Sequence, residues 1–512
     1  MSVAESLWRT GLALASAYVT VTVVGVLTSP LKNIPGPWYS LWTDLVLKYH
    51  ILRGQKARYV HALHQQYGPV VRINPEQADI CDLAALSQIG RAEFHKTPYY
   101  KTMTIDEDNI FNTGDPASHR RQRRLLSGPL SESGLKSVVG IVYGKVKLAM
   151  RRIDEEMRSD SGNGAADVFK WAGFMATDVI AELTFGESFQ MLEAGRKHQY
   201  FRDMESAAPV LALRVLFPVF RTLMSLGVPI PGASKAMQMI SRLRAGAEDR
   251  LERYSKRAET QGETTTGGDG GAPLLPTLFA KVDEAAGGDK GLTQDEILSN
   301  AQLYIVAGSD TTSNALTYVI WNVCKRPEVK ARLLSELKSL PGTSVSRKGD
   351  GEVDVDVDYE DLRDATYLNA VIDETLRLYP STPAPLPRHV PPEGMALAGH
   401  WFEGGCVVST QAWSFHMDPN IFPEPERFDP GRWEKGATKE MRDGFVPFGA
   451  GVRICLGMHL AMMEIRLATA RFFLQYPDAK VSTADGMSDA DMEQIAFFMA
   501  FPRGKRCLIQ DR

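Results

Sequence analysis

One segment of the 512-residue chain sets a cysteine among glycines at a spacing that suits a flat bound group. The segment 447–466 reads PFGAGVRICLGMHLAMMEIR, in the pattern F-x-x-G-x-R-x-C-x-G formed by Phe448, Gly451, Arg453, Cys455 and Gly457. Glycines let a backbone curl under a flat ligand where side chains would collide. Backbone N–H groups at a helix start favour a thiolate. The pattern therefore predicts a cysteine thiolate that points at a flat ligand.

A second candidate lies within a helix predicted over 293–326. Thr293-x-x-Glu296 is a capping box at its start, and a proline follows its end. The middle of this helix reads AGSDTT (307–312), although a mid-helix glycine costs about 1 kcal/mol relative to alanine. Gly308 and the threonines beside it therefore need a reason. Close packing against a neighbouring helix is one reason, and a functional site is the other.

These motifs, in this order, resemble those of the cytochrome P450 superfamily, and the resemblance covers essentially the whole chain. It implies that Cys455 is the axial thiolate ligand of the iron in haem b. It also implies that Asp310 and Thr311 are catalytic and deliver protons to dioxygen. Ala307 and Gly308 then belong to the cofactor site. The remaining cofactor-binding residues implied by the cysteine segment are Phe448, Gly451, Arg453 and Gly457.

Haem carries two propionates, and burial of their charge requires cations. Arg453 lies in the cysteine segment, and Arg388 follows a Leu-Pro pair in a region rich in short β-prone runs. His119 and Arg123 match a W-x-x-x-R position of the family, with histidine in place of tryptophan as a hydrogen-bond donor. We expect these four residues to bind the cofactor.

The pair Glu374-x-x-Arg377 gains its meaning from Arg427, about 50 residues later. Residues three apart share one face of a helix. By resemblance, Arg427 joins this pair in a Glu–Arg–Arg cluster that is structural and holds the segment before the cysteine in place.

Charge and cysteine content exclude several classes of protein. The net charge is −4, and the run HRRQRRLL has no interleaved aromatic residues, so we expect no nucleic-acid partner. Five cysteines without a C-x-x-C pair argue against a disulfide framework or a structural zinc site. Arg120, Arg121 and Arg124 form either a solvated helix face or a docking patch for an acidic electron donor.

The N-terminal residues 10–31 carry no formal charge. As a helix they would extend about 33 Å, enough for a hydrocarbon core of roughly 30 Å. We therefore predict a membrane anchor over 1–31, with a cleaved signal peptide as the alternative, and a Pro/Gly-rich exit linker over 32–40. The excess of basic residues after the span places the catalytic domain, 41–512, on the cytosolic face of the endoplasmic reticulum membrane.

The rest of the chain is predicted to be mainly α with a small β-sheet region, in one large domain of the cytochrome P450 type. A hairpin is expected over 67–82, where Gly-Pro and Asn-Pro pairs punctuate a β-prone run. The acidic stretch 348–361 is expected to be a solvated loop, because its spacing does not match a calcium loop.

The resemblance is closest to microsomal fungal enzymes of secondary metabolism. It implies a monooxygenase that takes electrons from NADPH through cytochrome P450 reductase, with cytochrome b5 as a further partner, and oxidises a hydrophobic, aromatic or polycyclic substrate. The expected pocket lies between 97–116, 200–240, Ala307, 381–386 and 495–499. The alternatives are a haem-thiolate isomerase, dehydratase or peroxygenase that needs no reductase, and a haem-binding membrane protein without turnover.

Overall fold

Helices dominate the fold, as the apolar residues at three- and four-residue spacing predict. The computed structural model describes residues 3–91, 93–104, 108–159, 164–217, 219, 222–223, 226, 232–260, 291–347 and 353–511. The α-helices are Val3–Thr28, Leu45–Leu52, Lys56–Tyr67, Leu83–Ile89, Tyr99–Met103, Pro116–Leu126, Glu132–Leu135, Val139–Arg158, Val168–Phe185, Met191–Ala194, Gln199–Leu216, Ala233–Thr260, Gln294–Cys324, Pro327–Ser339, Tyr359–Asp364, Thr366–Leu378, Ala412–His416, Gly431–Glu434, Lys439–Gly444 and Met458–Gln475. Short 3₁₀ helices are Trp38–Leu41, Lys136–Val138, Gly451–Arg453 and Ala484–Gly486.

The strands are short and form small sheets beside the helices. They are β1 (Val70–Asn74), β2 (Gln77–Ile80), β3 (His95–Lys96), β4 (Ala166–Asp167), β5 (Ser344–Arg347), β6 (Val353–Asp356), β7 (Leu386–His389), β8 (Met395–Leu397), β9 (His400–Phe402), β10 (Val407–Thr410), β11 (Lys480–Val481), β12 (Gln494–Ala496), β13 (Ala500–Pro502) and β14 (Leu508–Gln510). The largest sheet has the order β1-β2-β10-β7-β3. Its β1–β2 hairpin confirms the turn predicted over 67–82.

The helix Gln294–Cys324, here called the central helix, organises the core. The predicted capping box is present, since the Glu296 N–H donates to Thr293 Oγ1 over 3.1 Å and the Thr293 N–H donates to Glu296 Oε2 over 2.9 Å. The central helix packs most extensively against the helix Val168–Phe185. Its C-terminal half is buried on all sides in the main apolar cluster. A helix in this position presents its middle residues to the interior of the protein.

The N-terminal prediction of a membrane-spanning helix over about 10–31 is not supported. The helix Val3–Thr28 does form. However, across the described residues none of the helices combines the length and the apolar character that crossing a bilayer requires.

The acidic stretch 348–361 was predicted as a solvated loop, and for residues 353–356 that prediction is wrong. Residues 348–352 lie outside the described part of the chain. Strand β6 pairs with β5 in an antiparallel hairpin, and its Val355 is fully buried. Asp354 on the other face forms ion pairs with Lys147 over 2.9 Å and Arg471 over 3.1 Å. The alternation of valine and aspartate is therefore a strand pattern with one buried face.

Glu374 and Arg377 are fully buried and form the predicted pair on the helix Thr366–Leu378. Arg377 Nη2 and Nε donate to the two carboxylate oxygens of Glu374, each over 2.9 Å. Trp433 Nε1 and the Asp429 N–H also donate to this carboxylate, over 3.0 and 2.9 Å. Arg377 Nη1 reaches the His416 carbonyl over 2.8 Å. The pair thus ties the helix to the segment that precedes the cysteine.

The third member of this cluster is Arg432, and the prediction of Arg427 is wrong. Arg432 Nε donates to Glu374 Oε1 over 3.0 Å. The Arg427 side chain is exposed and pairs with Glu424 over 3.1 Å. Only the backbone carbonyl of Arg427 contacts the cluster, as an acceptor from Arg377 over 3.1 Å. The turn before the helix Gly431–Glu434 places residue 432, rather than 427, beside the buried carboxylate.

We predict that Arg432→Ala lowers the free energy of unfolding by about 3 kcal/mol, because it removes a donor from a buried carboxylate. Arg427→Ala is the matched control and should change the same quantity by less than about 0.5 kcal/mol, as exposed ion pairs do. Urea denaturation of both variants measures the difference. A larger loss in Arg427→Ala than in Arg432→Ala would contradict this assignment.

Candidate active site

The start of the cysteine loop, residues 447–457, is held in place by hydrogen bonds of His416. The imidazole of His416 is fully buried, and its Nδ1 lies 2.9 Å from the Arg377 carbonyl. Its Nε2 accepts the Val446 N–H over 3.0 Å, so Nδ1 carries the proton and donates. Burial and the Arg377 charge lower the His416 pKa to about 3, which keeps the ring neutral. This histidine connects the Glu374 cluster to the start of the cysteine loop.

Two glycines of the loop, Gly451 and Gly457, are explained by different structural requirements. A Cβ on Gly451 would lie 2.0 Å from the Gly90 carbonyl oxygen, and its φ of +66° disfavours other residues. Gly451 thus allows the loop to approach a neighbouring backbone closely, whereas the sequence suggested approach to a ligand. A Cβ on Gly457 would meet nothing within 4 Å. Next to Gly457 the loop leaves space for a flat group.

Cys455 differs from the four other cysteines. Its side chain is exposed, while Cys81 is half-buried and Cys324, Cys406 and Cys507 are buried. The Cys455 N–H donates to the Phe448 carbonyl over 2.9 Å and so orients the residue. Surrounding protein desolvates the thiol and raises its pKa, while the Gly457 N–H and the Arg123 charge act in the opposite direction. The exposed residue Cys455 is the predicted position of the metal ligand.

Arg123, Arg388 and Arg453, the arginines predicted to bind the propionates, form no ion pair with a carboxylate among the described residues. Arg123 Nη1 donates to the Ile454 carbonyl over 2.8 Å. Arg388 Nη1 donates to the Tyr100 hydroxyl and the Pro387 carbonyl. Arg453 Nη1 donates to the Thr113 carbonyl over 3.2 Å, and its buried Nε has no partner. Half-buried cations without an ion-pair partner are unfavourable, so this donor set fits an anionic ligand such as the haem propionates.

His119 is buried beside these cations. Burial comes first among the causes that lower its pKa to about 3, followed by the charges of Arg453, Lys96 and Arg123. The imidazole is therefore neutral at physiological pH. This fits the predicted role of a hydrogen-bond donor and excludes the role of a charge partner.

On the other side of the site, residues 307–311 in the middle of the central helix differ in exposure and in packing. Ala307 is exposed toward the interior, and Thr311 Oγ1 donates to its carbonyl over 2.6 Å. A Cβ on Gly308 would lie 2.9 Å from Ile180 Cγ1, so this glycine serves close packing against the helix Val168–Phe185. Ser381 Oγ donates to the Thr311 carbonyl over 2.9 Å. Packing therefore explains Gly308, while Ala307 and Thr311 keep a free face.

Asp310 is a half-buried acid whose carboxylate has no ion-pair or hydrogen-bond partner among the described residues. Burial first, and the nearby Glu205 second, raise its pKa to about 6 against the opposing charges of Lys197 and Lys505. Lys197 and Glu205 pair over 2.6 Å and are about half exposed. Asp310 thus lies next to Thr311 and within the electrostatic reach of a solvent-exposed ion pair.

Three aromatic rings from the regions predicted to form the pocket contact one another. Tyr100 and Phe111 meet edge to face with centroids 5.4 Å apart, and Phe111 meets Phe498 in the same way at 5.6 Å. These contacts bring the predicted regions 97–116 and 495–499 together. Part of the predicted region 200–240, including the side chain of Leu211, lies outside the described residues. The wall formed by the three rings suits a flat apolar ligand.

Sequence reasoning missed Lys96 and His416. Lys96 is on strand β3, whose antiparallel pairing with β7 sets it opposite Arg388. His416 ends the helix Ala412–His416, about 30 residues before the loop that it supports. Neither residue lies in a recognisable motif. Only strand register reveals the first, and only the hydrogen bonds of the folded chain reveal the second.

The elevated pKa of Asp310 predicts a pH-dependent stability. Between about pH 4 and pH 6 the folded state binds a proton that the unfolded state releases, so stability falls as pH rises through this window. The Asp310→Asn variant lacks this titrating group. Its free energy of unfolding relative to that of wild type should therefore rise by up to about 3 kcal/mol between pH 4 and pH 7. Urea denaturation at several pH values measures it, with Asp295→Asn, an exposed carboxylate of the same helix, as control. Parallel pH curves for wild type and Asp310→Asn would refute this.

Comparison with known proteins agrees with this geometry. A family model described as "Cytochrome P450" matches residues 34–507. The chain is 42% identical over 494 residues to "Cytochrome P450 monooxygenase tazI" of Aspergillus terreus, covering 96% of each chain. It is 33% identical over 514 residues to "Cytochrome P450 monooxygenase aflV" of Aspergillus parasiticus, covering 98% of this chain and 96% of the relative.

A solved structure supports the fold independently. The "Crystal structure of cytochrome P450DA heme domain" superposes with a TM-score of 0.72 at 17% identity, covering 94% of this chain and 96% of that one. The match of the family model over most of the chain, together with relatives above 30% identity along their full length, shows the family. The chain belongs to the cytochrome P450 family of cysteine-ligated haem proteins, and it is a monooxygenase.

Proposed function

We propose that this monooxygenase carries out a tailoring oxidation of a hydrophobic, aromatic or polycyclic secondary metabolite, by hydroxylation, epoxidation or oxidative coupling. The observation that carries the proposal is the exposed residue Cys455 in a loop flanked by cations that form no ion pair with an acid among the described residues. Relatives from Aspergillus that are named monooxygenases support the same class of reaction. When bound, a thiolate-ligated haem supplies the activation of dioxygen.

The residues of this chain then position the cofactor, the substrate and protons. Cys455 provides the thiolate, and Arg388 and Arg453 hold the propionates. The rings of Tyr100, Phe111 and Phe498 orient an apolar substrate and exclude water.

Proton delivery is assigned to Asp310 and Thr311. With a pKa raised to about 6, the Asp310 carboxyl exchanges a proton readily near neutral pH. The charges of Lys197 and Glu205, a half-exposed ion pair, act on the pKa of this acid. Thr311 Oγ1, one residue further along the same helix, passes the proton into the site. An isomerase, dehydratase or peroxygenase would not need this acid and alcohol.

Electrons from NADPH are proposed to arrive through cytochrome P450 reductase, with cytochrome b5 as a second donor. Arg120 and Arg124 are exposed on the helix Pro116–Leu126, beside a cleft of about 370 Å³ that also borders Val452. Arg121 turns inward to Glu296, so the predicted patch is formed by two of the three arginines. Exposed arginines beside the cysteine loop suit the acidic surface of an electron donor.

The Cys455→Ser variant tests the proposal. We expect the dithionite-reduced wild type to show a strongly red-shifted Soret band with carbon monoxide, because a thiolate donates electron density to the iron. The variant should lose this band. Cys406→Ser is the control and should keep it. A histidine-like Soret band in wild type, or no haem, would overturn the proposed function.

The need for a reductase separates monooxygenation from its alternatives. With the apolar substrate under test, NADPH should be consumed and one oxygen atom incorporated only when reductase is present. Product formation without reductase would identify the isomerase, dehydratase or peroxygenase alternative. A haem protein without any turnover would give no product under either condition.

We further propose that the enzyme lies on the cytosolic surface of the endoplasmic reticulum membrane and contacts its lipids. The helix Leu45–Leu52 and the turn before it expose a row of apolar and aromatic side chains, with Trp38 77% and Leu45 63% exposed. Lys48 on this helix lies 5.2 Å from the Phe217 ring, which brings the exposed Val219 near the same surface. Exposed tryptophans favour the membrane interface.

Flotation with vesicles of phosphatidylcholine and phosphatidylserine measures this contact. Because interfacial binding scales with buried apolar area, Trp38→Ala/Leu45→Ala should reduce the floated fraction several-fold. Val345→Ser, an exposed apolar residue in the separate β5–β6 hairpin, is the control and should float like wild type. Equal flotation of the double variant and wild type would contradict the proposed surface.

A further inference from the structure

Lys56 is a buried lysine beside a segment predicted to form the substrate pocket. It is the first residue of the helix Lys56–Tyr67, and only 6% of it is exposed. Two residues earlier, the Gly54 carbonyl accepts the N–H of Ala496, the last residue of strand β12, over 2.9 Å. The turn that follows β12 carries the aromatic ring of Phe498. The start of this helix is therefore joined to the strand that leads into the pocket region.

The amine of Lys56 also faces a row of aromatic rings. Its Nζ lies 5.8 Å from the centroid of the Tyr99 ring. Tyr99 meets Tyr100 edge to face with centroids 5.5 Å apart, and the ring contacts continue through Phe111 to Phe498. Four rings in successive contact thus link the amine to the turn after β12. A positive charge therefore lies at one end of an apolar, aromatic surface.

No acid compensates this charge directly. Among the described residues, the amine of Lys56 contacts the Tyr99 ring and forms neither an ion pair nor a hydrogen bond. The charge of Asp79 acts on Lys56, but the Asp79 carboxylate already has His64 Nε2 at 2.9 Å and accepts the Ser409 hydroxyl. Burial lowers the pKa of Lys56 to about 8 against the opposing charge of Asp79, so the amine is mostly protonated at neutral pH. A buried ammonium in this position is stabilised by an anionic ligand.

We propose that Lys56 binds a carboxylate of the substrate, and hence that the substrate is an aromatic, apolar molecule that carries an acidic group. This inference rests on the proposed function, because it names the class of substrate for that same site. The aromatic body lies against the row of rings, and the carboxylate accepts from Lys56 Nζ at the Tyr99 end. Lys56 is then a residue that determines specificity. A neutral analogue leaves the buried ammonium without a partner, which is the strongest basis on which a site rejects a ligand.

A lysine with a purely structural role makes a different prediction. If its ammonium only stabilises the Tyr99 ring and the helix Tyr99–Met103, its removal weakens the binding of acidic and neutral ligands alike. If it binds a carboxylate, its removal weakens the binding of acids alone. The ratio of the two affinities therefore distinguishes the roles.

The probes are ω-phenylalkanoic acids of increasing chain length and the ω-phenylalkanols of the same lengths. Binding to the ferric holoenzyme is followed by the Soret shift and, independently of the haem spectrum, by equilibrium dialysis. Wild type should bind its best acid about tenfold more tightly than the matching alcohol, because a hydrogen bond between charged groups is gained. The Lys56→Met variant should lose this preference and keep its affinity for the alcohol within about twofold.

Two further variants serve as controls. Lys56→Arg retains the positive charge and should keep most of the preference for acids. Lys101→Met removes an exposed lysine from the helix that carries Tyr99, where it pairs with Asp108 over 2.7 Å. This variant should bind acids and alcohols as wild type does. Equal losses for acids and alcohols in Lys56→Met, or a wild type without preference for any acid, would overturn the role of Lys56.

A pH titration of wild type provides a test that needs no variant. The affinity for the acid should fall as pH rises above about 8, because the free lysine loses its proton, while the affinity for the alcohol stays constant. Burial raises the pKa of Tyr99, whose ring faces the amine, so its hydroxyl stays protonated in this range. An acid affinity that does not change between pH 7 and pH 9 would overturn the proposal, even if Lys56→Met does not fold. A wild type without the red-shifted carbon monoxide band would instead overturn the proposed function, so the two failures are distinguishable.

Discussion

The buried carboxylate of Glu374 is the interaction on which the site depends. A carboxylate without solvent is tolerated only when donors surround it, and here Arg377, Arg432, Trp433 and the Asp429 N–H all donate to it. The donors come from a helix and from the segment before the cysteine loop. Satisfying one charge therefore fixes the path of that whole segment. Through the Arg377 carbonyl and the neutral ring of His416, the same network reaches the first residues of the loop.

A second constraint is electrostatic and opposite in character. The charge of Glu374 is compensated by its donors, whereas near the cysteine loop the cations Lys96, Arg388 and Arg453 form no ion pair within the described residues. A protein can hold such a cluster only if a bound anion balances it. Stability and function are thus separated in space. The hydrogen-bonded network around Glu374 stabilises the segment before the cysteine loop, and the cations near the loop are suited to binding an anionic ligand. The raised pKa of Asp310 belongs to the same contrast, because its carboxylate has no ion-pair partner in the described part of the chain.

Much of the site could be predicted from sequence because its parts are local. Within the cysteine loop the key residues lie only a few positions apart. The same holds for the capping box of the central helix and for the E-x-x-R pair. The errors arise where distant segments meet. Arg427 and Arg432 both follow the same proline-rich turn, and only the folded turn selects Arg432. Strand β6 looked like a solvated acidic loop because Lys147 and Arg471, which pair with its Asp354, are far away in sequence.

By itself, the sequence determined the family and the helical fold class, and it led to the proposed cysteine ligand and the proposed acid–alcohol pair of Asp310 and Thr311, because local chemistry at short spacing carries each of them. The tertiary structure decided what depends on contact between distant segments. It assigned Gly308 and Gly451 to close packing, made His119 and His416 neutral, and placed Lys96 opposite Arg388 through strand register. The physical reason is that burial and charge compensation are properties of a residue's neighbours in space, and a sequence states only its neighbours in the chain.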